Sequence, residues 1–137
     1  MDLAQFVALS ASVGLVVVAW WKLALLIEQS RTTFEDGLTG QYRTLMESIP
    51  MDVWLGSELQ GLDAEQRFVC REAIFRYLDL SNEQAFLQKQ GRVRLDTWEV
   101  WKRGIEANMK LPAFDEVWRE VMQKAPANFE YLRDMLQ

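Results

Sequence analysis

The fold of this chain is decided by one uncharged stretch near its start, residues 3–21, with the sequence LAQFVALSASVGLVVVAWW. As an α-helix it would cover about 28 Å, close to the hydrocarbon thickness of a bilayer. The roughly 105 residues that follow could hardly surround so long an apolar helix. The stretch therefore predicts a single transmembrane helix, and the lipid bilayer is the first partner that we expect.

The end of this stretch has the residue types found where a membrane helix meets lipid headgroups. Indole rings favour the interface, and a lysine can extend its ammonium group toward water. A cleaved signal peptide is disfavoured, because the chain begins Met-Asp without an early Lys or Arg and has bulky residues where a cleavage site needs small ones. The predicted membrane-interface residues are Trp20, Trp21 and Lys22.

Lys and Arg flank the predicted span on one side only. None precedes it, whereas Lys22, Arg31 and Arg43 follow it. Because cytoplasmic flanks of membrane helices are enriched in these residues, the rest of the chain is expected to lie in the cytoplasm.

Small residues recur every four positions within the predicted span. This spacing lets a second helix approach closely and pack by van der Waals contact. It predicts association with other membrane protein subunits or with a second copy, although small residues are also simply common in membrane helices. The helix-packing candidates are Ala4, Ala8 and Ser12, with Ser10 and Gly14 as a second pair.

Composition excludes several kinds of chemistry. The net charge is −5 without a Lys/Arg cluster, which argues against nucleic acid as a partner. The chain has no histidine, so the usual neutral-pH base and the commonest metal and haem ligand are missing. The single cysteine, Cys70, cannot form an internal disulfide and is interpreted as a small buried side chain. No cofactor and no metal are predicted.

Helical periodicity dominates the chain after the apolar stretch. We predict an all-α protein in which one N-terminal transmembrane helix is followed by a small bundle of four to six short helices. Residues 1–34 form the transmembrane helix and its juxtamembrane extension, which Gly37 and Gly40 then interrupt. A helical connector follows at 35–62, and a Trp-rich helical domain occupies 63–137.

Cap residues mark the expected helices of this domain. Asp63 is a predicted N-cap, and Gly91 a predicted C-terminal glycine of the same helix. Asp96 is the predicted N-cap of a second helix that ends before Pro112, and Pro126 ends a third.

Large apolar residues follow the helical stripes and predict the core of the bundle. The alternative interpretation is an aromatic ligand cleft between the Trp98 helix and the Trp118 helix. The predicted core residues are Phe68, Phe75, Leu78, Trp98, Trp101, Ile105, Phe114, Trp118 and Val121.

Any catalysis would have to rest on carboxylates, and the sequence has no recognised catalytic motif. Glu72 and Asp79 lie two turns apart on one predicted helix, and a partly buried Glu72 could transfer protons. The preferred interpretation is a salt bridge from Glu72 to Arg76 or Arg71. The sequence therefore predicts a protein that is not an enzyme.

One part of the domain resembles a known group of proteins. Residues 77–118, YLDLSNEQAFLQKQGRVRLDTWEVWKRGIEANMKLPAFDEVW, resemble uncharacterised bacterial proteins that have one N-terminal membrane helix and a short Trp-rich helical domain. The resemblance implies a location in the bacterial inner (cytoplasmic) membrane and the helical architecture, but it implies no activity. The residues that carry it are Gly91, Trp98, Trp101, Pro112, Phe114 and Trp118.

These features predict a non-enzymatic, membrane-anchored accessory or scaffold protein, a small subunit of a larger membrane assembly. The alternative is a small-molecule or lipid-sensing module that uses an aromatic cleft in the helical domain.

Overall fold

The computed structural model describes the backbone of residues 3–137 and the side chains of residues 14–137. Every regular element in this range is a helix, which confirms the all-α class. The elements are α1 (Leu3–Glu47), α2 (Met51–Trp54), α3 (Ala64–Lys89), α4 (Leu95–Asn108), α5 (Pro112–Lys124) and α6 (Glu130–Leu136), with 3₁₀ turns at Leu59–Gly61 and Pro126–Phe129.

Helix α1 is longer than predicted. It passes through Gly37 and Gly40 and ends at Glu47, so the predicted interruption after Phe34 is wrong. Each glycine costs only about 1 kcal/mol relative to Ala inside a helix. The burial of Leu38 between them and the good helix formers that follow offset this cost.

No helix in the described part of the chain contains an apolar segment long enough to cross a membrane. The predicted span starts at residue 3, and the side chains of its first eleven positions, 3–13, lie outside the described residues. The helix-packing candidates Ala4, Ala8, Ser10 and Ser12 lie outside them too. Gly14 is described, and a Cβ atom added there would have no neighbouring atom within 4 Å.

Two of the predicted caps are confirmed. Asp63 is the N-cap of α3, and its Oδ1 accepts a hydrogen bond from the backbone N–H of Gln66 at 2.8 Å. Gly91 follows the C-cap of α3 with φ +70°, and the backbone N–H of Arg92 donates to the carbonyl of Leu87 at 3.0 Å. Together these form the Schellman arrangement, which favours glycine at this position.

The predicted N-cap at Asp96 is wrong. The N-cap of α4 is Arg94, two residues earlier, and Asp96 lies in the first turn. The side chain of Asp96 accepts a hydrogen bond from the backbone N–H of its neighbour Thr97. A carboxylate from α1, that of Glu35, accepts a hydrogen bond from the backbone N–H of the N-cap residue Arg94.

The chain divides into two compact units, Met1–Phe34 and Glu35–Gln137. The boundary coincides with the predicted end of the first segment. The predicted connector 35–62 and the predicted domain 63–137 fall together in the second unit.

Helix α3 lies at the centre of the second unit and contacts α4, α5, α6 and both 3₁₀ turns. The turn at Leu59–Gly61 and the last turns of α1 also contribute apolar side chains to the core. Fully enclosed residues of this core include Val53, Leu59, Ile74, Leu78, Phe114, Phe129 and Leu132.

Part of the predicted core is corrected. Phe68 is 67% exposed and Phe75 is 44% exposed, although the Phe75 ring contacts Phe129 edge to face. Helix α3 buries the stripe through Cys70, Ile74 and Tyr77 instead, and Phe68 lies about 120° around the helix from Ile74 and about 160° from Cys70. Trp101 and Trp118 are half-buried. The structure buries the remaining predicted core residues, Leu78, Trp98, Ile105, Phe114 and Val121.

Candidate functional site

The first candidate surface is the apolar segment of α1, which we define as residues 15–27. Apart from Lys22, its large side chains are apolar, and they are exposed on every side of the helix, since the four consecutive residues 15–18 already span a full turn. A helix that is apolar all round is stable in lipid or inside a protein assembly, not in water. The exposed residues are Leu15, Val16, Val17, Val18, Trp20, Trp21, Leu23, Leu25, Leu26 and Ile27.

The predicted interface residues lie within this segment. Trp20 is 71% exposed and Trp21 is 64% exposed, with Lys22 directly after them on α1. Two adjacent exposed indoles next to an exposed lysine can occupy a boundary between apolar and aqueous surroundings.

The second candidate is a buried carboxylate that the sequence did not reveal. Glu35 lies on α1 with only 5% of its side chain exposed. Its Oε1 accepts the backbone N–H of Arg94 at 2.9 Å, and its Oε2 accepts from Nε and Nη2 of Arg94 at 3.0 and 2.6 Å. The hydroxyl of Thr97 donates to the same Oε2 at 3.0 Å. Glu35 therefore caps the N-terminus of α4 from another helix.

This position suits an anion for two reasons. The first backbone N–H groups of a helix have no partner within the helix, and the helix dipole adds partial positive charge there. Burial alone would raise the pKa of Glu35, but the hydrogen bonds and the positive charge of Arg94, with Thr97, outweigh it and hold that pKa below its usual value. The carboxylate stays ionised at neutral pH and fixes the last part of α1 against α4.

The third candidate is a cavity of about 300 Å³ between the last turns of α1, α3 and α4. All of its lining residues are uncharged, and most of the lining surface is apolar. It differs from the predicted cleft, because its second wall is formed by α1 and α3 and not by α5, the helix of Trp118. The lining residues are Thr39, Tyr42, Tyr77, Gln84, Val100, Trp101, Gly104, Ile105 and Asn108.

Polar groups converge on this cavity. The Tyr77 hydroxyl accepts a hydrogen bond from Nδ2 of Asn108 at 3.0 Å, and burial raises the pKa of Tyr77 to about 12, so the phenol stays neutral. Gln84 is 6% exposed, and within residues 14–137 its side-chain amide has no hydrogen-bond partner. The ring centroids of Tyr42 and Tyr77 lie 6.0 Å apart.

The two tryptophans that named the predicted aromatic cleft lie against other elements. Trp98 is buried and lines a shallow depression near Tyr131, on the side of α4 that faces α6. Trp118 contacts the ring of Phe129 edge to face, with 6.3 Å between centroids.

The carboxylates considered for catalysis lie on the surface. Glu72 and Asp79 are both exposed on α3. Neither predicted salt bridge of Glu72 is formed among the described residues, and Arg71 contacts Glu116 and Glu120 of α5 instead.

Other groups have partners of their own. Hydrogen bonds from Lys124 and Arg71 hold the pKa of Glu120 at about 2. Cys70 is fully buried, and burial raises the pKa of its thiol to about 11. Within the residues that the structure describes, no group of three or more Cys, Asp or Glu side chains could hold a metal ion.

Comparison of the chain with known protein families, with curated proteins and with solved structures gives no match. The resemblance described above stays a prediction.

Proposed function

We propose that this protein is a non-enzymatic accessory or scaffold protein that is anchored in a membrane through α1. In this proposal its second unit, residues 35–137, binds a protein partner on the cytoplasmic side. The observation that supports it is the apolar segment 15–27, which exposes large side chains in all directions.

Such a segment is costly to hydrate. At about 25 cal/mol for each Å² of apolar surface, a run of exposed Leu, Val and Trp side chains costs several kcal/mol when it faces water. The sequence is uncharged from residue 3 to residue 21, so lipid could cover an uninterrupted apolar helix over that range. The adjacent Trp20 and Trp21 then suit the headgroup region.

A scaffold role is supported by how the second unit uses its polar side chains. Its buried carboxylate caps a helix, and Arg71 is engaged in ion pairs between α3 and α5. The small-residue spacing at 4, 8 and 12 supports packing of the membrane helix against another subunit or a second copy.

Membrane anchoring is tested with the full chain expressed in bacteria. After an alkaline carbonate wash we expect the protein to remain in the membrane pellet and to float with lipid vesicles. Replacing Val16 and Val17 together with Asp should release it from the pellet, because each buried Asp costs about 3 kcal/mol at a helix centre.

The matched control is Leu95→Asp, since Leu95 is 74% exposed but lies in the second unit. It should leave the protein in the pellet. If the unmodified chain stays in the supernatant after ultracentrifugation without detergent, as a stable monomer, the anchoring proposal fails.

The accessory role is tested separately by pull-down from native membranes with a C-terminal tag. We expect a stoichiometric partner or a second copy in mild detergent. A monomer that copurifies with nothing, from native membranes and after overexpression alike, contradicts the scaffold role but leaves the anchor intact.

A further inference from the structure

The cavity between α1, α3 and α4 has an unmet hydrogen-bonding group in its wall. Gln84 is more than nine-tenths buried, and its amide has no partner within residues 14–137. Every fully enclosed side-chain nitrogen or oxygen in that range does have a partner. The Gln84 amide is therefore not fully enclosed, and because Gln84 lines the cavity it offers one donor and one acceptor edge there.

The lining limits the charge of what can enter. None of the nine lining residues is charged. An ion buried here would lose its hydration without gaining a counter-charge, so a charged ligand is disfavoured. The Tyr77 phenol, which stays neutral, and the Asn108 amide add hydrogen-bonding capacity without adding charge.

The aromatic walls of the cavity also limit the shape of a ligand that can bind there. Trp101 and Tyr42 contribute aromatic rings, and aromatic pairs favour offset or edge-to-face contacts with a planar partner. The volume of about 300 Å³ lies at the lower end of the range for small-molecule pockets. A flexible acyl chain would fill the volume but leave the Gln84 amide unpaired.

We infer that this cavity is a binding site for a small, neutral, planar aromatic molecule whose edge carries an adjacent hydrogen-bond donor and acceptor, such as a one- or two-ring lactam. Gln84 would pair with that edge, and Trp101 would contact the ring face. The inference goes beyond the proposed anchoring role and does not depend on it.

The experiment uses the full chain in mild detergent and two matched probes. Quinolin-2-one has the lactam N–H and C=O side by side, and 1-methylquinolin-2-one lacks the N–H. Calorimetric titration should show saturable binding of quinolin-2-one and at least tenfold weaker binding of the methylated probe. Equal affinity for the two probes, or no saturable binding of either, overturns the proposal.

Two substitutions on α3 test whether the probe binds in this cavity. Gln84→Met keeps the volume but removes the amide, so it should weaken quinolin-2-one binding at least tenfold, equivalent to about 1.4 kcal/mol. It should also raise the Tm, because a buried unpaired amide is removed. The control Gln88→Met, one turn further along α3, should leave the affinity unchanged.

A spectroscopic readout is independent of the affinity. On addition of quinolin-2-one the indole N–H resonance of Trp101 should shift, while that of Trp118, outside the cavity, should not. Unchanged affinity in Gln84→Met, or an unshifted Trp101 signal, contradicts the assignment.

Discussion

Glu35 is a single residue on which the packing of α1 against α4 depends. Its carboxylate accepts four hydrogen bonds and is almost fully buried. Hydrogen bonds to a charged acceptor are each worth about 1.5–3 kcal/mol, and neutral ones about 0.5–1.5 kcal/mol. The Arg94 side chain that loses its counter-charge is 39% exposed, so solvent screens it. We expect Glu35→Gln to lower the free energy of unfolding by about 1–2 kcal/mol, because the amide oxygen can still accept from Arg94.

The measurement is urea unfolding followed by circular dichroism. The control is Asp36→Asn, which removes the same charge from the exposed neighbour of Glu35. It should change stability by less than about 0.5 kcal/mol. Equal unfolding midpoints for the two variants would show that the contacts of Glu35 contribute nothing.

Because the Glu35 carboxylate is ionised in the folded protein, we expect the stability of the fold to depend on pH. The pKa of Glu35 in the folded protein lies below its usual value of 4.5. The contribution of the Glu35 carboxylate to the free energy of unfolding is therefore fully present above pH 4.5. It decreases as the pH falls through 4.5 and is lost below the pKa of Glu35 in the folded protein. The stability difference between the native chain and Glu35→Gln should be constant from pH 7 to pH 6 and should shrink below pH 4.5. A difference that grows with acidification would reverse the sign and contradict the assignment.

Cys70 gives a chemical test of burial. Its thiol is fully enclosed and its pKa is about 11, so very little thiolate is present at pH 8. We expect Cys70 to react with a disulfide reagent at least roughly 100-fold more slowly in the folded chain than in urea. The control is Cys70→Ala combined with Phe68→Cys, which places a thiol on the exposed side of α3 and should react quickly when folded.

At the level of helices, two glycines are expected to respond in opposite directions to the same substitution. Gly91→Ala forces an alanine into φ +70° after α3 and should cost about 1–2 kcal/mol. Gly40→Ala lies inside α1, where an added Cβ meets nothing within 4 Å, and should stabilise by about 0.5–1 kcal/mol. Thermal unfolding of the two variants checks both signs, and two shifts in the same direction would refute the helix assignment.

Local signals predicted the helix ends better than the helix faces. The cap at Asp63 and the glycine at Gly91 depend only on neighbouring backbone groups, so the sequence was sufficient. Gly37 and Gly40 were interpreted as breaks, but their modest cost is offset by packing that a local pattern does not contain. Phe68 and Phe75 were assigned to the core because α3 has apolar residues on several faces, and only the position of α5 and α6 decides which face is buried.

At the level of the whole molecule, the candidate sites depend on residues far apart in sequence. Glu35 and Arg94 are 59 positions apart, and no periodicity links them. The cavity combines residues from three helices, and Gln84 on α3 looks like any solvent-facing polar residue when read in sequence. The sequence could predict an all-α protein with aromatic residues in its core. It could not predict which aromatic residue would border a cavity.

The division into two units gives the last prediction. If the apolar segment 15–27 is what requires a membrane, a fragment of residues 29–137 should stay folded and monomeric in buffer without detergent, whereas the full chain should not. The fragment keeps more than a turn of α1 before Glu35, so the bonds to Arg94 can form. A shorter fragment, 49–137, lacks Glu35 and the partly buried side chain of Leu45. It should unfold at lower urea concentration, because it loses the Glu35–Arg94 ion pair and apolar contacts together. Size-exclusion chromatography and circular dichroism measure both fragments. Aggregation of 29–137 without detergent would mean that exposed residues of the second unit, such as Phe68, are also covered by lipid or by a partner, and segment 15–27 would no longer account for the anchoring alone.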